Sequence, residues 1–384
     1  MVSRADNSLL AEWWRTIDRP LLSVLLFLIL SGLLMSFAAS PPVAERIGVD
    51  EFHFIKRHAI FFIPTVVIMI ALSMLTPKQV RRLSVLIFAG SIVLLLATLF
   101  IGAEVKGSRR WLYIAGFTLQ PSEFVKPAFV VITAWLFAEN SRRPDIPGNL
   151  FSIILFGIVA ALLIAQPDFG QTMLVSLVWG ALFFMAGMSW IWIAALGLLG
   201  LAGMTTAYLI FPHVAGRINR FISGGGDNYQ VDTGIEAIRN GGWLGQGPGE
   251  GTVKNILPDS HTDFSFAVAA EEFGIIACMI LVGIYAFVVL RGLSKSMVER
   301  DSYVRMSAAG LVLLFGFQSL INIGVNLKLL PAKGMTLPFI SYGGSSMLAM
   351  AIGMGFLLAL TRTRAESRQS TTVGFGFPNI KPAE

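Results

Sequence analysis

The chain has 384 residues, of which 55% are hydrophobic and only 14% are charged, and its formal net charge is +6. A soluble globular protein has about 25% charged residues, whereas apolar runs of roughly 20 residues, each long enough to cross about 30 Å of hydrocarbon, recur along this whole chain. The composition therefore excludes a soluble globular protein and predicts an all-α polytopic membrane protein.

The N-terminal segment 1–19 is polar and carries Trp13 and Trp14 among charged residues, a pattern typical of a helix at the membrane–water interface. About ten transmembrane helices are predicted to follow it, within a single domain over residues 20–362. They cover residues 20–39, 58–75, 83–102, 122–138, 149–165, 171–188, 190–211, 264–290, 304–327 and 342–361. The short connection at Gly187 leaves open whether 171–211 forms two helices or one bent helix. The polar tail 363–384 is predicted to be disordered.

A large loop, 212–263, separates the seventh and eighth predicted helices and is rich in glycine. Long loops between packed helices are usually functional or disordered. Tyr229, Trp243 and the spacing of the glycines favour an ordered loop. We expect this loop to be extracytoplasmic, because the loops on the side of the two termini carry more Lys and Arg than those on the other side.

The outer loops are also basic, and two explanations remain open for their charge. Translocated loops tolerate basic residues without any functional reason, but guanidinium and ammonium groups also hold anionic ligands such as phosphate. The net positive charge does not indicate nucleic-acid binding, since many of the basic residues lie in short loops on the cytoplasmic side, as membrane topology requires.

Six ionisable residues lie in or beside the apolar segments, where a charge needs a partner or a wet cavity. They are Glu123, Lys126, Asp168, Asp263, Glu271 and Glu272. Each has an ordinary structural explanation beside a functional one. Glu123 and Lys126 fit an ion pair that closes the bundle, the two adjacent glutamates fit packing against Lys126 or backbone groups, Asp168 fits a tight turn, and Asp263 fits a helix N-cap.

One carboxylate beside outer-face cations is compatible with two functions. Transfer of a sugar from a lipid pyrophosphate needs one base for the acceptor hydroxyl and cations for the departing anion, whereas glycoside hydrolysis generally needs two carboxylates. A carrier for an anionic lipid would present the same residues. The neighbouring Asp259 and His261 are weak indications of a metal site.

Six motifs in order resemble the SEDS family of bacterial shape, elongation, division and sporulation proteins over residues 20–362. They are VKGSRRWL, QPSEFVK, QPDFGQT, YQVDTGIEAIRNGGWLGQGPGEG, LPDSHTDFSFAVAAEEFG and LPAKGMTLPFISYGGSS. The first and last resemble division-type members more than elongation-type members. The resemblance implies a ten-helix peptidoglycan glycosyltransferase of the bacterial inner membrane, with both termini cytoplasmic, which polymerises lipid II at the division septum. It also implies an FtsI-type class B penicillin-binding transpeptidase and other divisome membrane proteins as partners.

Carried over residue by residue, the resemblance makes Asp263 the catalytic base of an inverting transfer that forms a β-1,4 bond and releases undecaprenyl pyrophosphate. The implied substrate-binding residues are Lys106, Arg110, Trp111, Glu123, Lys126, Asp168, Lys254, His261 and Glu272. Of these, Glu123, Lys126 and Glu272 are expected to form one charged network under the base. Pro248 and Ser265 depart from the family pattern, but neither removes a proposed functional group.

No cofactor or protein metal site is firmly implied, and a divalent cation, Mg²⁺ or Mn²⁺, at the pyrophosphate is left open. Two other functions also remain open. A lipid II flippase would need a passage with two access states and no base, and a structural recruiter of the transpeptidase would need neither.

Overall fold

The computed structural model describes residues 8–105, 108–114, 116–210, 215, 216, 219, 229–331 and 334–363. This part of the chain is a helical bundle with one small sheet. The helices are α1 (Leu9–Thr16), α2 (Arg19–Ala39), α3 (Pro41–Arg46), α4 (His53–Ser73), α5 (Pro77–Ile101), α6 (Pro121–Arg142), α7 (Gly148–Ala165), α8 (Phe169–Met185), α9 (Trp190–Ile210), α10 (Tyr229–Gly241), α11 (Ser265–Val298), α12 (Ser302–Asn326) and α13 (Gly344–Leu360), with a 3₁₀ turn at Val253–Asn255.

Eight of the described helices, namely α2, α4, α5, α6, α7, α9, α11 and α12, are long and apolar enough to cross a membrane. Two further apolar helices, α8 and α13, have 17 residues each, or about 25 Å at 1.5 Å per residue. The ten helices coincide with the ten predicted segments, and the class of a helical integral membrane protein is confirmed. That all ten cross the bilayer stays a prediction. A turn with Gly187 at φ 82° separates α8 from α9, so 171–211 forms two helices.

The helix predicted near the N-terminus forms as α1, and its location at the membrane interface stays a prediction. Ser8 caps it by accepting a hydrogen bond from the Ala11 amide. The Trp13 indole N–H donates to the Ser73 hydroxyl at 2.8 Å, which fastens α1 to the end of α4, while Leu9 stays exposed. The predicted tail lies almost entirely outside the described residues.

The centre of the bundle is formed by α6, α12 and α13, whose side chains are mostly buried by the other helices. α6 packs against α5, α7, α8, α12 and α13. Because neighbouring helices rather than lipid surround it, α6 can carry Glu123 and Lys126 inside the apolar layer.

The connection between α5 and α6 contains a three-stranded antiparallel sheet that the sequence analysis did not predict. Its strands are β1 (Ala103–Val105), β2 (Ser108–Ile114) and β3 (Phe117–Leu119), in the order β1-β2-β3. Gly116, at φ 81°, lies in the turn between β2 and β3. Aromatic and branched residues in β2 favour the extended conformation. The strands are short, and the alternation signal over them is correspondingly weak.

α11 is broken at Gly274, whose φ of 79° and ψ of 173° are not helical. Residues 242–247 lie against the break and supply the missing backbone partners. They belong to the loop 212–263, called the outer loop after its predicted side of the membrane, which stays a prediction. The amides of Gln246 and Gly247 donate to the carbonyls of Glu271 and Glu272 at 2.9 and 3.0 Å, and the amides of Ile275 and Ile276 donate to the carbonyls of Gly242 and Trp243 at 3.0 and 3.3 Å. These four backbone groups of α11 therefore find partners in the loop although the helical ladder is broken.

Candidate functional site

A cavity of about 790 Å³ opens at the end of the bundle opposite α1. Its walls come from the small sheet, α10 and the segments that precede α11 and α13. Of the catalytic and substrate-binding residues that the resemblance implies, five line it, namely Arg110, Trp111, Glu123, His261 and Asp263. The volume lies within the usual range of small-molecule sites, about 300–1,000 Å³.

Asp263 is presented to this cavity by a tight turn just before α11. Asp259, at φ 52°, accepts hydrogen bonds on its carbonyl from the amides of Thr262 (3.1 Å) and Asp263 (3.0 Å). The opposite wall comes close as well, since a Cβ added to Gly334 would lie 3.3 Å from Asp263 Oδ2. The turn holds the carboxylate at the edge of the cavity.

Two residues that the sequence analysis missed support this turn. Asn322 and Asn326 of α12 both donate from Nδ2 to the Asp263 carbonyl, at 2.9 and 3.0 Å. Asn326 also accepts from the Ala267 amide at 3.1 Å. The sequence signal that could have identified them is a pair of carboxamides four residues apart in an apolar helix. Polar side chains in a membrane helix usually form hydrogen bonds to another helix.

Glu123 and Lys126 form a buried ion pair with 2.8 Å between Oε2 and Nζ. Lys126 also donates to Gln318 Oε1 at 3.0 Å, and Gln171 donates to Glu123 Oε1 at 2.6 Å. Glu123 reaches the cavity wall, while Lys126 lies beneath it. The structure thus brings these two residues together under the site, as the sequence suggested.

Glu271 and Glu272 lie elsewhere, which corrects the expected network of Glu123, Lys126 and Glu272. Glu272 pairs with Lys254, whose ammonium also donates to the Gly249 carbonyl at 3.1 Å. Glu271 accepts from the amides of Val253 and Lys254 at 2.7 and 2.9 Å. The two glutamates fasten the outer loop to α11. Lys254 is buried in that contact and is not among the residues that line the cavity, so the structure does not place it to contact a substrate there, as had been expected.

Arg110 lines the cavity but also holds the chain behind it. Its Nε donates to the Gln166 carbonyl at 3.1 Å, one terminal nitrogen donates to the Pro167 carbonyl, and Nη1 lies 3.7 Å from Asp168 Oδ1. Asp168 caps α8 by accepting from the Gln171 amide, and it lies behind the wall of the cavity rather than in it. Burial raises the pKa of Asp168, and the Arg110 guanidinium opposes this rise.

His261 faces the cavity in an aromatic cluster with Phe54 and Tyr342, at ring-centre distances of 4.7 and 5.4 Å. Burial lowers the pKa of His261 to about 4; Asp259 opposes this shift and Arg46 adds to it. The imidazole is therefore neutral near pH 7 and adds no positive charge to the site.

Lys106 lies outside the described residues. Among those that are described, the basic side chains lining the cavity are Arg57, Arg110 and Lys328. Lys328 pairs with Asp232 at 2.7 Å. Arg57, which the sequence analysis did not single out, donates weakly to the Gly116 carbonyl at 3.5 Å and lies beside Tyr342. The sequence signal that could have identified Arg57 is its position at the start of α4, next to an apolar run.

Within the described ranges, no group of three or more His, Cys, Asp or Glu side chains is placed to hold a metal ion.

Comparison with known proteins decides the family. The family model FTSW_RODA_SPOVE, described as "Cell cycle protein", matches residues 19–366. The chain belongs to the FtsW/RodA/SpoVE family. The resemblance to SEDS proteins seen in the six motifs is confirmed.

Members of the FtsW/RodA/SpoVE family with assigned names support the division type. The chain is 48% identical to a probable peptidoglycan glycosyltransferase FtsW of Caulobacter vibrioides, with 97% of each chain covered. It is 33% identical to the protein of the same name from Pseudoalteromonas translucida, over 93% of this chain and 92% of that one.

Solved structures show the same fold. A chain from a peptidoglycan synthase complex, reported for its structural coordination of polymerization and crosslinking, aligns with a TM-score of 0.74 at 25% identity, covering 90% of this chain and 97% of that one. The rod shape determining protein RodA of Thermus thermophilus aligns with a TM-score of 0.67 at 24% identity, covering 91% and 97%. The RodA likeness concerns the fold alone.

Proposed function

We propose that this chain is a peptidoglycan glycosyltransferase of the division type that uses Asp263 as its general base. The enzyme class and the division role follow from relatives named peptidoglycan glycosyltransferase FtsW, one of which matches 97% of this chain. The observation that supports the assignment of Asp263 is its placement in a supported turn at the wall of the outer cavity.

In the proposed reaction the substrate is lipid II, and the acceptor is the 4-hydroxyl of a GlcNAc residue. The Asp263 carboxylate takes the hydroxyl proton while the oxygen attacks the anomeric carbon of the α-linked donor. The bond from that carbon to the pyrophosphate breaks, and undecaprenyl pyrophosphate leaves with the bonding electrons. One displacement inverts the centre and gives a β-1,4 bond.

The departing pyrophosphate needs positive charge around it. Arg57 and Arg110 line the same cavity as Asp263, and a guanidinium can bind a phosphate through two parallel hydrogen bonds. Lys106, next to the sheet in sequence, is proposed to add to this charge. A divalent cation, Mg²⁺ or Mn²⁺, remains part of the proposal only as a companion of the pyrophosphate.

The proposed setting is the bacterial inner membrane at the division septum, with both termini cytoplasmic. The proposed partners are a class B penicillin-binding transpeptidase of the FtsI type and other divisome membrane proteins. The likeness to a chain from a complex that coordinates polymerization and crosslinking supports a transpeptidase partner.

The deciding experiment uses the purified full chain in liposomes that contain lipid II, with and without a class B transpeptidase whose active serine is replaced. Glycan strands are resolved on gels. We expect polymer that depends on this chain. Movement of lipid II between leaflets without polymer would favour a flippase, and polymer formation that does not need this chain would leave it the role of a recruiter.

A further inference from the structure

One face of α12 carries three buried carboxamides at a spacing of four residues. They are Gln318, Asn322 and Asn326, each no more than 2% exposed. Residues four apart lie above one another on a helix, so the three form a row about 12 Å long. The sequence analysis gave this row no role.

The outer end of the row holds the turn that presents the base. Both asparagines donate to the Asp263 carbonyl, and Asn326 accepts from the Ala267 amide at 3.1 Å. Asn322 also donates to the Met335 carbonyl at 2.6 Å. Met335 follows Gly334, where an added Cβ would lie 3.3 Å from Asp263 Oδ2. Asn322 thus joins the Asp263 turn to the segment that contains Gly334, and Asn326 binds the turn and the first turn of α11.

The inner end of the row meets the buried ion pair. Gln318 accepts from Lys126 at 3.0 Å and donates to the Thr336 carbonyl at 3.2 Å. Thr336 lies in the same segment as Met335. The row therefore joins the Glu123–Lys126 pair of α6, the 334–336 segment and the Asp263 turn through neutral side chains of one helix.

We propose that Gln318, Asn322 and Asn326 are positioning residues that set the place of the Asp263 carboxylate against the reacting sugar. This rests on the proposed role of Asp263 as the base. Carboxamides suit the task because each donates and accepts at once, and because none of them changes charge with pH inside the apolar layer.

The shared acceptor makes a specific prediction. Asn322→Ala and Asn326→Ala each leave one donor on the Asp263 carbonyl, whereas the double variant leaves none. A displacement of about 1 Å can lower turnover on the order of 100-fold. We expect a loss of kcat on that scale for the double variant, and this loss should be greater than the product of the two single losses. The KM for lipid II should stay within about threefold of the wild type, since the basic residues that would bind the pyrophosphate are untouched.

Ser319→Ala is the matched control. Ser319 is equally buried on α12, but its hydroxyl donates only within its own helix, to the Phe315 carbonyl at 2.8 Å. Its kcat should match that of the wild type. Gln318→Met tests the other end of the row without touching the turn, and it keeps the length of the side chain. Gln318→Met should lower kcat with little change in KM. This variant also tests the proposal if the double variant does not fold.

Three measurements on purified proteins decide the outcome, namely steady-state polymerisation kinetics, lipid II binding and the thermal unfolding midpoint. The positioning role is overturned if the double variant, or Gln318→Met where the double variant does not fold, keeps the kcat of Ser319→Ala, or if every loss is in KM and lipid II binding. Asp263→Asn separates the two proposals. If that variant polymerises, the role of the base fails; if it is inactive while the row variants are normal, only the row fails.

Discussion

Gly245 of the outer loop and Gly274 of α11 lie against each other. A Cβ on Gly274 would be 2.5 Å from the Gly245 amide nitrogen, and a Cβ on Gly245 would be 2.7 Å from the Gly274 amide nitrogen. Both residues also have positive φ, 84° and 79°. The loop can dock at the helix break only because neither residue carries a side chain.

Gly274→Ala should therefore release the loop from α11. We expect a lower thermal unfolding midpoint and faster proteolysis in the loop around residues 242–257. Gly283→Ala is the control. Gly283 lies on the same helix, and a Cβ added there would meet no atom within 4 Å. Equal behaviour of the two variants would show that the loop does not depend on the break.

Asp263→Asn should abolish glycan polymerisation while expression and membrane insertion stay normal. The carboxamide keeps the shape of the side chain but cannot take a proton at neutral pH. Asp50→Asn changes an exposed aspartate that pairs with Lys56 at 2.7 Å and is not among the residues that line the cavity, and this variant should stay active. Near-normal glycan strands from the Asp263 variant would exclude the proposed mechanism.

Arg110→Ala should lower both polymerisation and lipid II binding, because the substitution removes a cavity charge and frees the turn at Gln166–Asp168. Arg109→Ala removes the same charge one residue earlier, where Arg109 contacts the exposed Glu104 at 3.4 Å, and it should have little effect. Lys106→Ala tests the neighbouring charge in the same assays. Full polymerisation and full lipid II affinity in both the Arg110 and Lys106 variants would show that these two charges have no role in substrate binding.

Lys126→Met should reduce both folding yield and activity. Removing one partner of a buried ion pair commonly costs about 3–5 kcal/mol, since the other charge is left without compensation. The double variant Lys126→Met with Glu123→Gln should recover folding, as measured by the monodisperse yield in detergent, but should keep low activity if the pair supports the site. A double variant with normal polymerisation would make the pair a packing feature only.

His261 should weaken the fold as the pH falls. Its pKa is about 4 in the folded protein, against an ordinary value of 6.5. As the pH falls, the unfolded chain therefore binds the proton before the folded protein does. The contribution of neutral His261 to the stability is fully present above about pH 6.5 and declines towards pH 4. His261→Gln cannot be charged, so its unfolding midpoint should fall less over that interval. Identical pH slopes for the two proteins would contradict a buried neutral His261.

The local chemistry of several residues could be read from their neighbours in sequence. Glu123 and Lys126, three apart on one helix, had to face the same side, and the structure pairs them. Asp168 precedes a helix and caps it. Asp263, by contrast, was expected as an ordinary N-cap or as a base, and nothing in its own segment shows that α12 holds its carbonyl through Asn322 and Asn326.

The sequence by itself determined the membrane class, the positions of ten apolar helices and the family, because the length of apolar runs and the order of motifs are properties of the linear chain. The tertiary structure alone decided which charges and polar groups distant in sequence meet. Lys254 and Glu272 are 18 residues apart and pair only because the outer loop folds back onto a broken helix. Lys126 and Gln318 are nearly 200 residues apart, and no local periodicity can specify a contact that depends on how two helices pack.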